Sequence, residues 1–197
     1  IYATTAGTLQ AAGDLSLRGI GSTRGIWAAA SIQAGHDIII DGLNGVGTDW
    51  GVYLSGTPIT ATSGMISIKA SGYYGLYLAS AMTAGNSTSV LLNPPATFGG
   101  NGILIDGTSR NLYAVRLAAA TITNNTRGGE LAINVSGGGY DDSATSAING
   151  GTNSGRIVIS GNGVGAGITA TAGASITQNS NGGVWLGTTH DNLTPHK

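Results

Sequence analysis

The sequence predicts an all-β fold, a right-handed parallel β-helix (solenoid) of about seven coils, and three observations carry that prediction. The frame Gly-apolar-aromatic-apolar recurs as Gly25-Ile26-Trp27-Ala28, Gly51-Val52-Tyr53-Leu54 and Gly75-Leu76-Tyr77-Leu78, with starts 26 and 24 residues apart. Short segments alternating apolar with small polar residues fill the intervals, the period-2 pattern of strands buried on one face. Helical signals are nearly absent: the chain has one Glu and two Lys, and no apolar stripe at helical spacing.

Read in order, strands are expected at Gly25–Ala30, Ser31–Ala34, Asp37–Ile40, Gly51–Ser55, Ile59–Thr62, Met65–Lys69, Gly75–Ala79, Val90–Leu92, Ile103–Ile105, Ala114–Leu117, Thr121–Thr123, Glu130–Val135, Arg156–Ser160, Gly167–Thr171, Ser175–Thr177 and Gly183–Leu186. Gly- and Asn-containing pairs between them suit tight turns. Sandwiches and antiparallel barrels also use short strands, but a repeated frame implies that equal positions stack. The first-strand core ladders are then Ile26/Val52/Leu76/Val115 and Ala28/Leu54/Leu78/Leu117. Third-strand ladders are expected at Ile38/Ile66/Leu104/Leu131 and Ile40/Ile68/Ile133, with Ile157 and Ile159 following. The next frame comes 39 residues after Gly75, and the excess is assigned to a protruding loop over Asn86–Asn101, which contains Pro94-Pro95. Tyr140–Asn153 has the weakest periodicity.

A chain of 197 residues can bury one core, so a single β-helix segment over 1–197 is expected. With 35 Gly and 9% charged residues it could pass for low complexity, but 41% hydrophobic content in ordered clusters marks a folded chain. A net charge of −1 and eight dispersed Lys and Arg argue against nucleic acid, which needs a basic stripe. The longest aliphatic run is Ile38-Ile39-Ile40, so membrane insertion is not expected. The chain opens Ile1-Tyr2-Ala3 and reads as a piece of a longer protein. It has no Cys, hence no disulfide or thiolate site.

If the second and fourth frame residues face inward, the third faces outward. That column holds Trp27, Tyr53, Tyr77 and then Arg116, and the position before each frame holds Trp50, Tyr74 and Tyr113. Two readings stay open: a recognition surface for sugar rings or protein, or stacked aromatics that stabilise neighbouring strands and pack into a corner. The acids do not suggest an enzyme. Asp41-Gly42 and Asp106-Gly107 follow Ile-rich segments as turn-forming pairs, and Asp141-Asp142 could cap a turn or hold a cation. His36, His190 and His196 lack partners at zinc spacing, and no phosphate loop, nucleophile elbow or dinucleotide fingerprint occurs, so no cofactor or metal is expected.

The runs Gly51-Val52-Tyr53-Leu54-Ser55-Gly56, Ile59-Thr60-Ala61-Thr62-Ser63-Gly64 and Ile66-Ser67-Ile68-Lys69-Ala70 give the chain a style that resembles filamentous haemagglutinin-like exoproteins of Gram-negative bacteria. These are the secreted partners of two-partner secretion systems and include adhesins and contact-dependent inhibition stalks. Autotransporter passengers write similar sequences, and the family's Asn-Pro-Asn-Leu secretion motif is missing, Asn93-Pro94-Pro95 being no match. The resemblance implies an internal repeat segment of a secreted, cell-surface virulence adhesin. Its partners would be a glycan or protein receptor on host or bacterial cells, and an outer-membrane pore during export. The rival readings are a polysaccharide-degrading β-helix and a pure structural spacer of a toxin-delivery protein.

Overall fold

A computed structural model describes residues 1–3, 7–56, 58–85, 101–126, 129–142, 146–150, 157–162, 168–170, 174–178 and 184–188. The chain winds through three strands per turn. The first turn is β1 (Tyr2–Ala3), β2 (Thr8–Ala11) and β3 (Leu15–Gly21). The second is β4 (Ile26–Ala28), β5 (Ser31–Ala34) and β6 (Ile38–Asn44). Then come β7 (Trp50–Ser55), β8 (Ile59–Ala61) and β9 (Ile66–Gly72), followed by β10 (Tyr74–Ala79), β11 (Ala81–Ala84) and β12 (Asn101–Ser109). The fifth turn is β13 (Tyr113–Leu117), β14 (Thr121–Asn124) and β15 (Glu130–Ser136). The last two are β16 (Gly139–Asp142), β17 (Ala147–Gly150) and β18 (Ile157–Asn162), then β19 (Ile168–Ala170), β20 (Ser175–Gln178) and β21 (Val184–Thr188).

Every third strand pairs in parallel, giving three seven-stranded sheets. Sheet A runs β1-β4-β7-β10-β13-β16-β19, sheet B β2-β5-β8-β11-β14-β17-β20, and sheet C β3-β6-β9-β12-β15-β18-β21. The five turns from β4 to β18 have a stacked neighbour on both sides. This is a parallel β-solenoid, as the repeat predicts.

Equal frame positions do become register partners. Ile26, Val52, Leu76 and Val115 stack in sheet A, as do Ala28, Leu54, Leu78 and Leu117. Sheet B adds the core column Ile32, Ile59, Met82, Ile122 and Ile148. All these residues are buried. At roughly 25 cal/mol per Å² of apolar surface removed from water, each ladder rung stabilises its own turn and the turns beside it.

Three expectations need correction. Ile103, not Leu104, joins Ile38, Ile66 and Leu131, while Leu104 pairs with Ser67 and Ala132 in the outer row. Ile103-Leu104-Ile105 is all aliphatic, so alternation could not choose its inward face. Asp41-Gly42 and Asp106-Gly107 lie inside β6 and β12, not in turns. Their glycines are there because a Cβ on Gly42 would come within 2.6 Å of the Gly51 oxygen, and one on Gly107 within 2.3 Å of the Ala114 oxygen. The end of each sheet C strand presses against the start of the next sheet A strand. Finally, the first turn, β11, β16 and β17 were not expected as strands. The loop at Asn86–Asn101 lies outside the described residues apart from Asn101, which opens β12, and the strand at Val90–Leu92 lies outside them entirely.

Tyr140 is where the frame breaks. Gly139 pairs with Tyr113 and Tyr140 with Val115, so Ala114 is skipped in the ladder. That shift turns Tyr140 inward, 3% exposed, into the column headed by Ile26.

Candidate functional site: an aromatic band on sheet A

The outward row of sheet A runs Tyr2, Trp27, Tyr53, Tyr77, Arg116 and Asp141, all register partners in turn. Trp27, Tyr53, Tyr77 and Arg116 each sit between two buried aliphatics, so the pleat alone directs them away from the core. Tyr2 meets Trp27 edge to face at 4.1 Å between ring centroids, and Trp27 meets Tyr53 at 6.4 Å. Tyr53 and Tyr77 then stack at 4.5 Å, 6° from parallel.

The second column lies beside the first. Trp50 and Tyr74 are register partners with rings 4.8 Å apart, and Tyr74 lies 5.8 Å from Tyr113. Trp50 is only 9% exposed and packs into the corner, whereas Tyr74 and Tyr113 are half-buried. Trp50 also lies 5.4 Å from Tyr77, which locks the two columns together. Seven aromatic rings therefore make one continuous band from Tyr2 to Tyr113.

Two arginines and two acids complete it. The Arg24 guanidinium lies 5.2 Å from the Trp27 ring and 4.7 Å from Tyr53, a cation–π clamp held by a 2.7 Å ion pair from its Nε to Asp49 Oδ2. Arg116 lies over Tyr113 at 4.8 Å and pairs through Nε with Asp141 Oδ2 at 3.2 Å. Asp141 is thus the outward rung after Arg116, inside β16 and not in a turn. The Tyr53 hydroxyl is pushed above its ordinary pKa of 10.0, mainly by burial, then by Tyr77, with Arg24 opposing. All seven aromatic and arginine positions expected from the frames belong to this band. Tyr2, Arg24, Asp49 and Asp141 were missed. Tyr2 precedes the first complete frame, and Arg24 and Asp49 sit in corners that no period-2 pattern describes.

The band's faces are turned on each other. Stacking and edge contacts occupy the flat sides of Trp27, Tyr53 and Tyr77, and the Trp27 indole Nε1 is buried without a hydrogen-bond partner. Solvent meets ring edges and tips, except at Tyr2, which is 70% exposed.

Asp14 and Asp37 serve the corners. Asp14 Oδ1 accepts the Asp37 amide at 3.1 Å, and Asp37 Oδ1 accepts the Met65 amide at 2.9 Å, each carboxylate capping the equivalent residue of the next turn. His36 is exposed, 3.9 Å from Asp14, and His190 and His196 lie outside the described residues. Among the described residues no three His, Cys, Asp or Glu gather where they could hold a metal ion. No protein-family model, curated protein or solved structure matches the chain.

Proposed function

We propose that the chain is part of the stiff shaft of a secreted or surface-exposed bacterial adhesin. On this reading the sheet A band is the face that meets a glycan or protein receptor on host or neighbouring cells. The observation that supports it is the band itself: seven rings in unbroken contact along one side of a rod, with Tyr2 more than half exposed. Aromatic side chains offer large contact area at low conformational-entropy cost, and Tyr tips add a polar group. The mechanism is passive. Stacked turns supply stiffness and reach, since each is held by its neighbours, and the band supplies adhesion. The reading assigns no catalytic step.

A second reading is a spacer whose aromatic band only fastens turns together, and the mutual occupation of ring faces favours it. Binding of the purified chain to arrayed glycans and to host and bacterial cells separates the two. The adhesin reading expects saturable binding, weakened by Tyr2→Ser with an unchanged melting curve, and lost when Trp27, Tyr53 and Tyr77 are all Ser. Silence on every surface overturns it and leaves the spacer.

A further inference from the structure

An open trough of about 380 Å³ runs along the outer face of sheet C across β12, β15 and β18, within the roughly 300–1,000 Å³ range of ligand sites. One wall is the outward row Asp106, Asn134 and Ser160, which are register partners. The other is formed by Thr108 and Ser136, also partners. Between the walls the residues point inward, so backbone at Gly107 and its equivalents makes the floor.

The first wall is already organised. Asn134 Nδ2 donates to Asp106 Oδ1 at 2.8 Å, and Ser160 Oγ donates to Asn134 Oδ1 at 2.6 Å. Both donors point toward the carboxylate, which fixes the Asn134 amide orientation. Among the described residues, Asp106 Oδ2, the second Asn134 amide hydrogen and the Ser160 lone pairs have no further side-chain partner and can meet a ligand. Acceptor, donor and acceptor therefore recur at strand spacing, roughly 4.8 Å, and holding them in place beforehand lowers the entropy lost on binding.

We propose that this trough binds a linear neutral polysaccharide lying along the solenoid axis, about one sugar residue per turn. Vicinal sugar hydroxyls donate and accept at once, which suits this wall, and the strand spacing is close to the rise of one hexose in an extended chain. Lys69, the other register partner of Asp106 in the same outward row, offsets its carboxylate, so this wall carries no net charge to select an ionic polymer. A peptide would seek a sheet edge or apolar side pockets, and the trough is a sheet face with hydroxyl, amide and carboxylate walls. The inference stands apart from the sheet A band.

The test is calorimetric titration of the whole chain with cellohexaose, laminarihexaose, mannohexaose and chitohexaose. Ser136 is half-buried and outward, so Ser136→Trp fills the trough without entering the core, and Asp106→Asn keeps shape while removing charge. At least one oligosaccharide should bind saturably. Ser136→Trp should abolish that binding, Asp106→Asn should weaken it about tenfold, and Tyr2→Ser should leave it unchanged. No saturable binding of any of the four, binding that survives both trough variants, or binding lost only in Tyr2→Ser would overturn the proposal. Oligosaccharide binding together with silence on cells would reject the adhesin reading alone.

Discussion

Tyr53 and Tyr77, 24 residues apart in sequence, lie ring on ring at 4.5 Å and 6° from parallel because they are register partners on adjacent parallel strands. The stack couples two turns outside the core. A double-mutant cycle with Tyr53→Ala and Tyr77→Ala, read by denaturant unfolding, should give a coupling energy of about 0.5–1.5 kcal/mol.

The same pair sets a pH dependence. The folded-state pKa of Tyr53 is raised above 10.0, so the neutral phenol is favoured in the fold. Its contribution is fully present below the unfolded value of 10.0 and is lost as pH rises through the folded value. Melting temperature should fall on the alkaline side, less steeply in Tyr53→Phe, and phenolate absorbance should show Tyr53 ionising late.

The frame glycines answer to close approach. A Cβ on Gly51 would stand 2.3 Å from the Ser71 oxygen, whereas one on Gly45 meets nothing within 4 Å. Gly51→Ala should cost about 1–3 kcal/mol by overpacking, and Gly45→Ala should leave the unfolding midpoint nearly unchanged.

Ala119 is the one non-glycine at positive φ among the described residues, at 54°. An L side chain in that region costs roughly 1–2 kcal/mol, and glycine's greater unfolded-state freedom offsets part of the relief. Ala119→Gly should raise the unfolding free energy by up to about 1 kcal/mol, read from a shifted midpoint at constant slope.

The sheet A ladders were legible because a parallel stack turns equal frame positions into register partners, so the repeat alone places Trp27, Tyr53, Tyr77 and Arg116 in one row. The flanking Asp-Gly pairs misled for a physical reason. Asp-Gly usually marks a turn, but here Gly42 and Gly107 are in-strand residues that let two sheets meet, and Asp41 and Asp106 are outward rungs. Arg24 over Trp27 and Tyr53, Arg110 reaching back to the Asn44, Gly45 and Gly47 carbonyls, and the buried Asn44 amide are corner contacts. They depend on how the chain bends between strands, which a strand period does not encode. The sheet C trough was hidden likewise, since Asp106, Asn134 and Ser160 come together only through register.

The most direct test of this account is a cross-turn disulfide, and a chain without cysteine provides a clean background. Thr60 and Thr83 are half-buried register partners on β8 and β11, and stacked strands bring Cα atoms within the roughly 4.4–6.8 Å that a disulfide spans. Under mild oxidation the Thr60→Cys/Thr83→Cys chain should close an intramolecular bond and melt higher than its reduced form, while Thr60→Cys/Ala81→Cys, two residues out of register, should not. Equal closure in both, or closure only in the second, would contradict the register on which the ladders, the aromatic band and the trough all rest.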